Sequence, residues 1–203
     1  MTLPSRFWIS IGGFLSAAAI AIVAIVQAFP DPAPTLQFNL TTHNQHPMTE
    51  RELVGRPTLL FLGFTACPHV CPTTLARLSR ALESLDAQSR NVNVLFVTVD
   101  PHTDTPERMA RYLKQFHQQI IGLSGPDRSL QQLYSRLRAY VKKLPGTTQG
   151  FNHSAYLYVF DADGTLSGHL SGSSSVETLS AQIQQLLSHH EETLHARLEY
   201  YPD

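Results

Sequence analysis

The stretch Thr58-Leu59-Leu60-Phe61-Leu62-Gly63-Phe64-Thr65-Ala66-Cys67-Pro68-His69-Val70-Cys71-Pro72-Thr73-Thr74 decides how the fold is read. Its first seven residues are almost continuously apolar, which suits a central strand buried on both faces. Beyond Cys71 the pattern changes. Leu75, Leu78, Leu82 and Leu85 recur three and four apart, so Thr73–Leu85 is expected to be an amphipathic helix. Pro72 is placed to open that helix, with Cys71 at or beside its N-cap. Val92–Val99 is a second buried run. Two buried strands joined through a helix make a βαβ unit and therefore a parallel pair.

The flanks extend this unit. Upstream, Leu36, Phe38 and Leu40 alternate as in a half-buried strand, His43–His46 read as a turn, and a short strand is expected before Glu50. Downstream, Thr105-Pro106-Glu107 marks a helix start, with threonine as N-cap and proline at the first helical position; the helix is expected to reach about His117. Ile120–Leu123 is expected as a short strand and Asp127–Val141 as a helix carrying Leu130, Leu133, Leu137 and Val141 on one face. Ala155–Phe160 and Thr165–Leu170 form a hairpin around Asp161-Ala162-Asp163-Gly164. Val176–His189 closes the domain as a helix, and His190–Asp203 is a polar tail. The order predicts an α/β protein with a thioredoxin-like mixed sheet flanked by helices, spanning residues 35–189.

The 203 residues include 15 basic and 16 acidic side chains, a net charge of −1, which excludes the dense basic surface that nucleic-acid binding needs. Charged residues make up 15%, against about 25% in ordinary soluble domains. Part of the deficit lies in residues 1–30, where no charge occurs between Arg6 and Asp31. As a helix, Phe7–Phe29 would span about 34 Å, enough for a bilayer core of about 30 Å, with Trp8 at the interface. Arg6 and the amino terminus lie before the stretch, and no basic residue follows until Arg51. The expected topology is a single-pass anchor in the cytoplasmic (inner) membrane, N-terminus inside and everything after Pro30 in the periplasm or extracytoplasmic space. A cleaved signal peptide, with Val26-Gln27-Ala28 as its cleavage site, exports the same domain; the length of the stretch favours a retained anchor. Asp31-Pro32-Ala33-Pro34 is a stiff linker.

Chemistry concentrates at the end of the first buried strand, where the chain places its only two cysteines, Cys67 and Cys71, four apart. A helix N-terminus there would stabilise a thiolate and lower its pKa. Three readings compete: a structural disulfide, which closes only a small loop; a redox-active dithiol, with three intervening residues where the common motif has two; and a site for a soft metal ion, Cu(I) or Zn(II), which needs a third ligand from elsewhere. Ten histidines are available. His43, His46, His102, His117, His169, His189, His190 and His195 suit turns, surfaces, a strand or the tail. His69 lies between the cysteines, on a loop too short to converge three neighbouring ligands without strain. His153 sits at the end of a polar loop, Pro145–Asn152, just before an apolar strand.

Cys67-Pro68-His69-Val70-Cys71-Pro72-Thr73-Thr74-Leu75, following Phe61-Leu62-Gly63-Phe64-Thr65, resembles the signature of the Sco/SenC family, membrane-anchored thioredoxin-like copper proteins involved in assembling cytochrome c oxidase. Val97-Thr98-Val99-Asp100-Pro101 with Asp104-Thr105-Pro106-Glu107 is similar to the family's second block, and Gly122-Leu123-Ser124-Gly125 to its third. Asn152-His153-Ser154, then Tyr158-Val159-Phe160-Asp161 and Gly164, is similar to the fourth. The resemblance runs to about His189 and implies copper, as Cu(I) or Cu(II), held by Cys67, Cys71 and His153. Two positions depart from the family's pattern: His69 and Asn152 stand where acidic residues are common, and both remove negative charge near the metal. Asp100 reads either as a turn residue before Pro101 or as a group shaping the loop beside the metal or meeting a partner.

The expectation is a copper metallochaperone that takes copper from an upstream donor and passes it to the dinuclear copper centre of cytochrome c oxidase. The alternative is an enzyme, a thiol-disulfide reductase using Cys67 and Cys71 to keep the oxidase's own cysteines reduced. No Ser–His–Asp triad or phosphate-binding glycine loop is evident.

Overall fold

Hydrophobic runs bounded by turn residues become nine strands and four α-helices among the residues that the structure, a computed structural model, describes: 33–146 and 150–200. In chain order these are β1 (Asn39–Thr42), β2 (Pro47–Thr49), β3 (Thr58–Gly63), α1 (Val70–Ser84), β4 (Asn93–Thr98), α2 (Pro106–Leu113), β5 (Ile120–Ser124), α3 (Asp127–Arg136), β6 (Val141–Lys143), β7 (Phe151–His153), β8 (Tyr156–Phe160), β9 (Leu166–Ser171) and α4 (Val176–Tyr200). Seven strands form one sheet in the order β2-β1-β5-β4-β3-β8-β9, and β6 with β7 forms a separate two-stranded ribbon. The β3–β4 and β4–β5 pairs are parallel and the other pairs of the large sheet antiparallel, so the βαβ unit expected from the two apolar runs stands at its centre.

Every residue of β3 and β4 is buried, because each strand feeds two cores. Leu59, Phe61, Val94 and Phe96 face a core built with α1, α2 and α4. Leu60, Leu62, Leu95 and Val97 face the opposite core, with α3 and the N-terminal residues Leu36, Phe38 and Leu40. Each such side chain contributes roughly 1.5–3 kcal/mol relative to exposure. This double burial holds the C-terminal ends of β3 and β4 in place. Pro34–Asp203 forms one compact unit. The apolar stretch Phe7–Pro30 lies outside the described residues; none of the described helices is long and apolar enough to cross a membrane.

Several boundaries differ from the sequence reading. Leu36 and Phe38 are buried as expected but precede β1, because their amides bond elsewhere: Leu36 N–H donates to the Gly164 carbonyl and Phe38 N–H to the Glu50 carboxylate. Helix α1 starts at Val70 with His69 as N-cap, so Cys71 and Pro72 lie inside its first turn, where a missing proline N–H costs nothing. Helix α2 starts as expected, Thr105 accepting from Arg108 N–H, but stops at Leu113. Helix α3 ends at Arg136, since Arg138 takes a left-handed backbone (φ 49°), and Val141 then enters β6. Helix α4 continues past His189 to Tyr200. Glu191–Tyr200 contain no glycine or proline to stop it.

Candidate metal centre

The turn after β3 folds Cys67 back toward the helix, its N–H donating to the Phe64 carbonyl at 3.2 Å. The two cysteines are free thiols in unlike settings: Cys67 is half-buried and Cys71 fully buried. The Cys71 N–H points at Cys67 Sγ, 3.5 Å away. The first-turn amides of α1 thus serve Cys67, not Cys71. Burial pushes the Cys71 thiol well above its ordinary range, with the nearby Cys67 acting in the same direction. This corrects the expectation of a lowered value for a cysteine at the helix start. Cys71 stays protonated until a cation or a neighbouring base takes its proton.

Gly63 makes room for that sulfur. A Cβ at this position would lie 2.9 Å from Cys71 Sγ and 2.6 Å from the Phe96 ring. Gly63→Ala is therefore expected to displace the sulfur or the ring and to destabilise the fold by roughly 1–3 kcal/mol, as measured by denaturant unfolding; an unchanged midpoint would refute the close approach.

His153, 82 residues further along the chain, arrives on β7 with Nε2 3.9 Å from Cys71 Sγ. Its Nδ1 lies 2.9 Å from the Ser154 carbonyl. That contact assigns the proton to Nδ1 and leaves the Nε2 lone pair aimed at the sulfur. Burial lowers the pKa of the ring, opposed by the Ser154 contact, so the imidazole is neutral at pH 7 and ready to bind. Phe61 and Phe64 meet it edge-on at 6.3 and 6.0 Å. Ser154 is held in turn: its N–H donates to the Tyr140 carbonyl and its hydroxyl accepts from Tyr140 N–H.

Two thiols and one neutral imidazole form a donor set suited to a soft ion. Among the described residues no group of three or more His, Cys, Asp or Glu side chains is already at metal-holding spacing. Cys71 and His153 are in contact, and Cys67 Sγ lies beside them, accepting the Cys71 N–H at 3.5 Å.

Beneath the loop lies a polar clamp that the sequence reading missed. Asp104, with no exposed surface, accepts from Thr65 N–H at 3.0 Å, from the Thr65 hydroxyl at 2.5 Å and from the Thr98 hydroxyl at 2.6 Å. Arg108 Nε donates to Thr65 Oγ1 at 2.8 Å and lies 4.0 Å from the carboxylate. One buried carboxylate thus ties the cysteine loop to the end of β4. Burial raises its pKa against the pull of these hydrogen bonds. The available signal was the position of Thr65 and Thr98 just past or at the ends of two apolar strands, where open α/β sheets place their ligands. Asp100 is also buried; its N–H donates to Thr98 Oγ1, and its Oδ2 has no hydrogen-bond partner among the described residues.

The remaining sequence candidates lie elsewhere. His69 and Asn152 are exposed on the loop and on β7. His102 pairs with Asp127 at 3.1 Å on the surface. His43 and His117 accept backbone N–H groups, from Gly122 and Gln119. His169 meets Tyr156 and Tyr158 edge-on.

Comparisons with known proteins find relatives over most of the described chain. The SCO1/SenC family model matches residues 30–188. A Stutzerimonas stutzeri protein provisionally named as copper-binding is 35% identical over 156 residues, which cover 74% of this chain and 76% of that one. The mitochondrial protein SCO2 of Saccharomyces cerevisiae is 33% identical over 72% of this chain, and the match spans about half (52%) of its own length. Among solved structures, copper-bound ScoI of Bradyrhizobium japonicum superposes with a TM-score of 0.70 at 35% identity, covering 76% of this chain and 99% of that one.

Proposed function

The chain belongs to the SCO1/SenC family, and from that premise we propose that it is a copper metallochaperone whose cargo is held by Cys67, Cys71 and His153. The observation that carries this reading is the approach of His153 Nε2 to Cys71 Sγ at 3.9 Å across 82 residues of chain. Copper-bound ScoI and the S. stutzeri protein named for copper binding support the choice of metal. Copper bound here supplies a soft cation that replaces the thiol protons. Cys71 and His153 hold the buried side of the cargo, and the half-exposed Cys67 is the donor that an incoming partner reaches first. Transfer then proceeds by ligand exchange through Cys67. The proposed recipient is the copper-bearing subunit of cytochrome c oxidase, and the proposed setting is an extracytoplasmic domain tethered by Phe7–Phe29.

The test is the absorption spectrum of the copper-loaded protein. Sulfur-to-Cu(II) charge-transfer bands are expected, and each ligand variant should lose or shift them. His153→Ala is expected to weaken Cu(II) more than Cu(I), because imidazole is the harder donor. Equal losses for both oxidation states, measured by competition with chelators, would remove His153 from the ligand set.

A reductase is the second reading, favoured by one observation: a half-exposed thiol backed by a buried one, with the Cys71 N–H on Cys67 Sγ. In that reaction the Cys67 thiolate attacks a partner disulfide and releases one partner thiolate. Cys71 then attacks the mixed disulfide and releases the second, leaving Cys67 and Cys71 oxidised. Fast thiol exchange that persists in His153→Ala, without tight copper binding in the wild type, would select this reading.

A further inference from the structure

We infer that the outer edge of β9, beside the cysteine loop, is a docking groove for an extended acidic segment of the protein with which the site exchanges its cargo. A groove of about 770 Å³ opens there, lined among others by His69, Val70, Arg77, Tyr156, His169 and Leu170. Val70, between the two cysteines, is 50% exposed, an unusual position for a large aliphatic side chain beside a buried thiol.

Three observations specify the occupant. First, β9 is the last strand of the sheet. Leu170 packs toward the core beneath α1, whereas His169 meets Tyr156 edge-on at 4.5 Å on the opposite face. The groove therefore wraps the strand edge rather than one face of the sheet. Second, that edge already takes an antiparallel neighbour. Thr35 bridges Thr165, Leu36 N–H donates to the Gly164 carbonyl, and Leu166 N–H donates to the Pro34 carbonyl. These contacts occupy only the start of the strand; among the described residues no strand lies outside Gly168–Ser171. Exposed edges are usually blunted by charge or proline, and β9, Leu166-Ser167-Gly168-His169-Leu170-Ser171, has neither. An edge left open in this way is suited to strand addition. Third, the lining includes Arg77, His69 and His169 and, among the described residues, no Asp or Glu, although the chain as a whole is slightly acidic. The complementary segment is negative.

The inference deepens the reading of the site as a point of exchange, but its test needs no copper, so the two can fail separately. The full chain, metal-free and reduced in detergent micelles, is titrated with blocked hexapeptides of alternating Glu and Val or alternating Lys and Val, and followed by amide NMR. The Glu peptide is expected to shift His69, Val70 and Gly168–Ser171, and the Lys peptide to leave them unmoved. Arg77→Glu should weaken the Glu peptide by roughly three- to tenfold, as expected for one partly exposed charge. Arg77→Gln should show a smaller loss in the same direction, and it stands in if the reversal disturbs folding. Absence of shifts at β9, equal shifts with both peptides, or shifts that follow protein concentration alone (pairing between copies of this chain) would each overturn the proposal.

Discussion

Cys71→Ser is expected to abolish stoichiometric copper binding. In the proposed site Cys71 Sγ is the buried donor, in contact with the His153 ring and seated over Gly63. Serine puts a hard, un-ionised hydroxyl in its place, and a soft cation gains little from it. The affinity should fall on the order of a thousandfold, about 4 kcal/mol at 1.4 kcal/mol per tenfold. The buried hydroxyl also costs roughly 1–3 kcal/mol of stability if it finds no partner, so folding is checked by circular dichroism. Cys67→Ser is the companion variant. Its site is half-exposed, so the fold should be unaffected while tight binding is lost. Unchanged copper stoichiometry in both, measured on the folded proteins, would end the assignment of a thiolate site.

Asp104→Ala is expected to be the most destabilising change outside the hydrophobic cores. It removes the shared acceptor of the Thr65 amide and hydroxyl and of the Thr98 hydroxyl. It also leaves Arg108 without its carboxylate. A loss of about 2–4 kcal/mol follows for several orphaned donors, lowering the melting temperature by roughly 5–15 °C for a domain of this size. The effect has a pH signature. Burial raises the Asp104 pKa above its ordinary value of 3.8, so the unfolded chain ionises first as pH rises. The contribution of Asp104 is therefore full below about pH 4 and shrinks as pH climbs through the folded value. The stability gap between wild type and variant should narrow from acid toward neutral pH; a gap that widens would contradict the raised value.

The centre of the fold was legible because β3 and β4 are buried on both faces, and such strands read as unbroken apolar runs. The cysteine loop was legible because a proline-containing turn between a strand and an amphipathic helix has few other uses. His153 was not legible from pattern alone. Its strand has three residues, too few to show a period, and its partner sulfur is 82 residues away; only the resemblance to a family pointed to it. Asp104 was hidden for another reason. In sequence it precedes a helix start, and nothing local shows that its carboxylate turns inward to Thr65. The overrun of the third helix has a similar origin. Val141 keeps the spacing of the apolar face, but the left-handed backbone at Arg138 breaks the helix before it.

His153 is carried by β7, which among the described residues pairs only with β6, three residues against three, outside the seven-stranded sheet. Ribbons of two strands are marginal by themselves, and this one meets the core through Val141, Phe151 and the His153 ring. Hydrogen exchange should therefore find the β6–β7 amides far less protected than those of β3 and β4. In the proposed copper site the imidazole would therefore sit on the least protected element, and a local opening of that ribbon would leave both cores of the domain intact.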